Sequence, residues 1–280
     1  MKPVLRYPGA KWNLAEWIIG HFPTDYENMT YLEPFFGSGA VFFTKRPSKI
    51  ETINDLDGQV INLFAVIRDN SDELCRLITA TPWARDEFYA SMNAVEGSNE
   101  ERARRFLVRC WQGLQARTSH RSGWCNEVDP RGAKSYPKLW QALPGRIRSI
   151  AARLLDAQIE NRSALELIPK HNLPNVLIYA DPPYLKETRT GGSLYVHEMS
   201  AELHAVFLDL MLQHQGPAII SGYPSSQYLE ALGGWKINTK SVNSGSRGRA
   251  LKGATEVLWL NPIAAASIPA PRLFENVGGK

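Results

Sequence analysis

Val176-Leu177-Ile178-Tyr179-Ala180-Asp181-Pro182-Pro183-Tyr184 is the stretch on which the fold turns. An apolar run ending in an acid, two prolines and an aromatic reads as a strand that delivers a rigid loop to the carboxyl edge of a sheet, where open α/β folds bind their ligands. Each proline fixes φ at about −65° and removes a backbone donor. The turn therefore presents a carboxylate and carbonyl oxygens, all acceptors, beside an aromatic face. A purely structural turn could use the same residues, but an acid at a buried strand end next to two donorless residues is hard to satisfy that way.

Short apolar runs bounded by Gly, Pro, Asn or Asp recur on both sides of this stretch. Strands are expected at Tyr31–Glu33, Glu51–Asn54, Ala157–Glu160, Val176–Ala180, Ala218–Ser221, Trp235–Ser241 and Glu256–Leu260. Helical patterns fill Leu14–Phe22, Gly58–Arg68, Ile147–Leu155, Glu202–Gln213 and Gln227–Leu232. This βαβ rhythm implies a mostly parallel sheet covered on both faces. Only the loop Asn243–Gly253 joins the last two strands, so they are expected to form an antiparallel hairpin at one edge.

About 100 residues separate the second and third strands, against roughly 2 to 6 for a typical βα connection. An inserted, mostly helical domain over 69–153 is the economical reading, flanked by the two parts of the sheet-bearing domain at 1–68 and 154–262 and followed by a loosely ordered tail at 263–280. The chain has 280 residues, a 44% hydrophobic fraction and a formal charge of +4, which excludes the disulfide miniprotein and disordered classes. That mild charge conceals a split. Ten Arg and two Lys against three acids put +9 in Glu101–Arg153, and five cations with no acid put +5 in Lys236–Gly253, so the remainder carries −10. Three cysteines without CxxC spacing argue against a disulfide framework and a zinc site. The first residues show no apolar targeting region and no run approaches the roughly 20 apolar residues of a membrane span, so a cytoplasmic protein is expected.

Three further segments carry candidate chemistry. Tyr31-Leu-Glu-Pro-Phe-Phe-Gly-Ser-Gly39 ends a strand and opens a helix, and its two glycines bracket Ser38 so that backbone can approach a ligand. An ordinary tight turn fits the same pattern. Asn54-Asp55-Leu56-Asp57 places acids after the next strand, where Asp55 suits a ribose hydroxyl pair and Asp57 suits a helix cap. Arg6-Tyr7-Pro8-Gly9-Ala10-Lys11-Trp12 is a basic, aromatic turn that alone also describes a solvated loop.

Together and in this order, from Lys2 to about Pro262, the four segments resemble the Dam-like, alpha-group DNA adenine-N6 methyltransferases, in which the cofactor motif precedes the catalytic motif with a target-recognition domain between them. The resemblance implies a Rossmann-like class I S-adenosylmethionine-dependent fold, α/β, with a seven-stranded mixed sheet whose last strand is antiparallel. It implies that Tyr7, Pro8, Gly9 and Lys11 line the cofactor, with Glu33, Phe35, Gly37, Ser38 and Gly39 around its methionine part, Asp55 on its ribose and Asp181 beside it. It implies that Asp181, the Pro182 carbonyl and Tyr184 hold the reactive adenine, without a metal. The adenine amino lone pair is delocalised into the ring, so a carboxylate and a carbonyl that accept its two hydrogens concentrate that lone pair toward the methyl group. A base inside a duplex cannot reach the methyl, hence flipping, and the Tyr184 ring replaces lost stacking without needing its hydroxyl.

Double-stranded DNA is the implied partner. Its expected contacts are Arg117, Arg121, Trp124 and Lys134 in the insert and Arg247, Arg249 and Lys252 in the last hairpin, while Arg102, Arg104, Arg105 and Arg109 fall at helical spacing and also suit a solvated face. Gln112–Cys125 keeps only Gly113–Leu114 of the recognition hairpin of GATC-specific members, so that target is not implied. Rival readings are methyl transfer to RNA or to a protein glutamine, and a catalytically idle DNA-binding protein. A separate cognate restriction endonuclease is a compatible partner, and the expected assembly is a monomer or weak dimer.

Overall fold

Side chains alternate across each buried strand, which explains why runs such as Val176–Ala180 are apolar throughout. Tyr31, Leu177, Tyr179, Ile219 and Leu258 enter one hydrophobic cluster, while Leu32, Ile178, Ala180, Ile220 and Trp259 enter the other. The computed structural model describes residues 1–93, 96–114, 123–126, 135–185, 197–242, 245–246, 249–250 and 254–268. Seven strands, β1 (Thr30–Glu33), β2 (Ile50–Asn54), β3 (Ala157–Glu160), β4 (Val176–Ala180), β5 (Ala218–Gly222), β6 (Lys236–Val242) and β9 (Ala254–Leu260), form one sheet in the order β3-β2-β1-β4-β5-β9-β6. The first five are mutually parallel, and β9 runs antiparallel to both β5 and β6. The hairpin thus lies at the edge as expected, with its second strand slotted inward and β6 outermost. Its tip carries the two-residue pair β7 (Gly245–Ser246) and β8 (Arg249–Ala250).

Helices α1 (Ala15–Ile19), α2 (Ala40–Thr44), α3 (Gly58–Asp69) and α8 (Leu143–Leu154) cover one face, and α9 (Ala164–Leu167), α10 (Ala201–Leu212) and α11 (Ser226–Ala231) the other. Asp57 caps α3 by accepting from the Gln59 amide at 2.9 Å, which leaves Asp55 for another task. Within 69–153 the helices are α4 (Ser71–Ala80), α5 (Arg85–Asn93), α6 (Asn99–Gln112) and α7 (Tyr136–Gln141), and then α8 leads back to the sheet. Leu74, Phe88, Phe106, Trp140 and Ile147 from these helices join the same cluster as Tyr31 and Tyr179. At the return point, buried Glu51 of β2 pairs with Lys45 and with Arg153 of α8. Burial pushes the Glu51 carboxyl up, but the two cations outweigh it and hold it below the usual carboxylate range.

The solvated-face reading of α6 holds only for Arg102, which is exposed. Arg104 pairs with Glu101 and Glu87, Arg105 with Glu101, and Arg109 donates to the Ser91 carbonyl at 2.8 Å. Part of the basic charge in Glu101–Arg153 is therefore engaged inside the protein: Glu101, already in that count, and Glu87 of α5 hold Arg104 and Arg105, and Glu51 holds Arg153. The N-terminal segment is anchored to the same region. Trp111 donates to the Val4 carbonyl at 2.8 Å, and Arg6 donates to the Trp111 carbonyl at 3.0 Å while lying 5.4 Å from the rings of both Trp111 and Tyr136.

Candidate active site

The strand order reverses between β1 and β4, and a crevice opens at the carboxyl ends of strands at such a switch point. Here the loops after β1 and β4 face each other. A cleft lies between them, lined by Tyr7, Pro8, Gly9 and Lys11, by Glu33, Phe35, Gly37 and Ser38, by Asp55 and by Asp181 and Pro183. The four sequence segments thus converge on one cavity. Its remaining wall comes from Ser163–Leu165, His197–Met199 and Leu203, residues with no motif of their own.

The glycine turn is built by close approach. Gly37 has φ +49°, and a Cβ there would lie 3.2 Å from the Tyr7 ring. Its amide donates to one Asp55 oxygen at 2.8 Å, and the Asp57 amide donates to the other at 2.9 Å. Asp55 therefore both faces the cleft and holds the turn that shapes it. Gly39 stands behind the wall: it has φ +67°, its amide donates to the Phe36 carbonyl at 2.8 Å, and a Cβ would fall 2.4 Å from Phe36 and 2.7 Å from Phe43. Backbone this close to a cavity, with a carboxylate directed at it, fits a nucleoside-type ligand.

Asp181 follows β4 directly. The buried Lys11 ammonium lies 3.3 Å from Asp181 and 3.1 Å from Glu256 of β9, and the Tyr184 hydroxyl bonds to Lys11 and lies 3.3 Å from both acids. The Lys11 side chain is 6% exposed and that of Glu256 2%, against 20% for Asp181, so of the two acids only Asp181 reaches the cleft. Pro182 and Tyr184 face the other way, into a small hollow with Ser221, Tyr223 and Tyr228. Tyr223 meets the Tyr184 ring edge-on at 4.6 Å. The Tyr184 hydroxyl, expected to be dispensable, is thus embedded in a charged cluster.

Burial dominates the electrostatics. It pushes Asp181 up to about 7, with Lys11 pulling down and Glu256 pushing further up. Burial likewise raises Glu33 to about 8, against the pull of the Tyr31 hydroxyl, which donates at 2.7 Å, and of Lys45. Asp55 is raised to about 6, restrained by its two backbone amides. Burial would lower the Lys11 ammonium, but Asp181 and Glu256 outweigh it and hold it above the ordinary lysine value.

Trp124 is partly buried, donates to Gln112 at 3.3 Å and lies under the Arg85 guanidinium at 4.9 Å. Arg117, Arg121, Lys134, Arg247 and Lys252 lie outside the described residues, and Arg249 is described only as backbone within β8. Glu256 escaped the sequence reading, although an acid inside the run Thr255-Glu-Val-Leu-Trp-Leu260 was a visible anomaly. Among the described residues, no group of three His, Cys, Asp or Glu could hold a metal and no helix is long and apolar enough to cross a membrane.

A parallel sheet with an antiparallel final strand, a cleft at its switch point and an Asp-Pro-Pro-Tyr loop in the wall define a Rossmann-like class I methyltransferase fold. The chain belongs to the D12 class N6 adenine-specific DNA methyltransferase family, which matches residues 7–223. It is 28% identical over 212 residues to the type II methyltransferase M1.LlaDCHI of Lactococcus lactis subsp. cremoris, covering 71% of each chain. It is 23% identical over 218 residues to the type II methyltransferase M.MjaIII of Methanocaldococcus jannaschii, covering 69% of this chain and 72% of that one. Among solved structures, a SAM-dependent methyltransferase from Agrobacterium tumefaciens aligns with a TM-score of 0.40 at 10% identity, over 89% of this chain and 61% of that one. The protein is a DNA adenine methyltransferase.

Proposed function

We propose that the protein transfers the methyl group of S-adenosylmethionine to N6 of an adenine flipped out of duplex DNA, at a specific site. The observation that carries this reading is the single cleft that joins the glycine turn and Asp55 to Asp181. When bound, S-adenosylmethionine supplies a methyl group already activated on a sulfonium. Gly37 and Ser38 would pass close to it, Asp55 would accept from its ribose, and the acids Glu33 and Asp181 suit its cationic part. Asp181 and the Pro182 carbonyl take the amino hydrogens of the base, and the wall of Pro182, Tyr184 and Tyr223 offers aromatic surface for it. Incubation with labelled S-adenosylmethionine and either duplex DNA, RNA or peptide, followed by mapping of modified adenines, tests this reading. Label on duplex DNA at a recurrent short sequence is expected, and label on RNA or peptide alone would overturn it.

Cofactor binding should depend on pH through Asp55. Its folded value near 6 lies above the ordinary carboxylate range, so the ionised acceptor is lost as pH falls through about 6. Protonation also disturbs the Gly37 or Asp57 amide contact. Calorimetry should show affinity falling across that window in the wild type. In Asp55→Asn affinity should be about ten- to hundredfold weaker and lack that acid limb. Equal affinity in the two proteins would remove Asp55 from the site.

DNA contact is assigned to the basic loops on either side of the catalytic motif. Phosphate-binding cations release counterions, so alanine at both Arg247 and Arg249 should flatten the salt dependence of DNA binding by a slope of about 1 to 2. An unchanged slope places the last hairpin away from the DNA. Which sequence is methylated, and whether an endonuclease or a second copy accompanies the enzyme, are open to the same mapping and to sedimentation.

A further inference from the structure

Glu256 lies outside the four sequence segments and beyond residues 7–223 that match the family, yet it is buried at the back of the site. One of its oxygens, Oε1, accepts from three donors: the Ser221 hydroxyl at 2.7 Å, the Lys11 ammonium at 3.1 Å and the Tyr184 hydroxyl at 3.3 Å. Two of these donors also reach Asp181 Oδ1, at 3.3 Å each. Glu256 and Asp181 therefore compete for the same cation and the same hydroxyl. A buried acid so close to a second one raises that neighbour's proton affinity, and a cluster of two carboxylates and one ammonium leaves neither acid fully neutralised.

We propose that Glu256 is a positioning residue for methyl transfer: by taking a share of Lys11 and of the Tyr184 hydroxyl, it keeps Asp181 available to accept the amino hydrogen of the base. The inference rests on the reading of Asp181 as that acceptor. Without Glu256, Lys11 would close fully on Asp181, and the carboxylate that faces the cleft would be spent on an internal ion pair. The other titratable groups coupled to the pair are Glu33 on β1, Tyr179 on β4, Tyr223 just after β5 and Tyr228 on α11, all present in either case. Lys240, the register partner of Glu256 on β6, turns instead to Trp17 at 5.6 Å.

The test is a carboxyl-detected NMR titration of Asp181 in the cofactor-free protein, run alongside the pH profile of turnover. In Glu256→Gln, Asp181 should titrate about one pH unit lower, since a like charge is lost and Lys11 is no longer shared. The acid limb of turnover should follow, and plateau turnover should fall about tenfold or more. Glu256→Asp keeps the charge and should titrate as the wild type with part of the turnover restored. A purely structural Glu256 would lower the melting temperature without moving Asp181 downward. An Asp181 titration in Glu256→Gln that stays put or rises, or a plateau equal to the wild type, overturns the proposal. Glu256→Gln leaves Lys11 balanced by Asp181, so folding is expected; should it fail, Lys11→Met and Lys11→Met/Glu256→Gln supply the comparison, with Asp181 titrating lower in the double variant. A wild type that methylates no adenine would refute the acceptor reading itself, while the titration would still decide whether the two acids are coupled.

Discussion

Asp181→Ala should reduce methyl transfer by roughly 10³-fold or more, because it removes the one carboxylate that both ends β4 and reaches the cleft. The variant should fold. Lys11 keeps Glu256 at 3.1 Å, so no buried cation is stranded, and the Tyr184 hydroxyl keeps Glu256 as well. Cofactor affinity should stay within about tenfold of the wild type, since Asp55 and the glycine turn are untouched. Single-turnover kinetics with calorimetry separate the two effects. Ordinary turnover in this variant would remove Asp181 from the chemistry, and complete loss of cofactor binding would make it a cofactor residue first.

The second large effect is expected at Gly39 and appears as stability as well as activity. A side chain there must adopt φ +67°, and its first carbon would lie 2.4 Å from Phe36 and 2.7 Å from Phe43, both buried. Left-handed strain and overpacking together cost about 2–6 kcal/mol, enough to displace Phe36 and with it the turn that presents Gly37 to the cleft. Gly39→Ala should therefore lower the urea midpoint and weaken cofactor binding together. Gly37→Ala makes a useful contrast: it shares the left-handed strain, at φ +49°, but its Cβ would meet only the Tyr7 ring, at 3.2 Å, so with the overpacking largely absent binding should suffer more than stability. Wild-type stability in Gly39→Ala would mean that the turn relaxes without cost.

The parts of this protein visible in the chain were those set by local chemistry. Strand positions followed from apolar runs and their breakers, and β4 matched the expected Val176–Ala180 in full. The capping role of Asp57 was likewise readable, because a helix cap needs its acid immediately before the helix. What escaped depends on neighbours distant in sequence. Lys11 looked like part of a solvated turn and is buried between two acids, one 170 residues onward and the other 245. Glu256 shares that cluster only because β9 inserts beside β5, a pairing that strand spacing does not reveal. Arg104, Arg105 and Arg109 carried the helical spacing of a solvated face; Glu101, which pairs with Arg104 and Arg105, stands on the same helix, but Glu87 against Arg104 and the Ser91 carbonyl against Arg109 become apparent only once α5 packs on α6. A charge count along the chain could not distinguish such internal arginines from those free to meet DNA.

On the proposed function, Asp181, at the junction of the cofactor cleft and the aromatic hollow, directs methyl transfer to adenine N6 in DNA. Nucleoside analysis by mass spectrometry of duplex DNA treated with the wild type and with Asp181→Ala, both supplied with S-adenosylmethionine, tests it most directly. N6-methyldeoxyadenosine is expected with the wild type, at a level reduced to background with the variant. A methyl group on any other atom, or equal N6 methylation by both proteins, would contradict it.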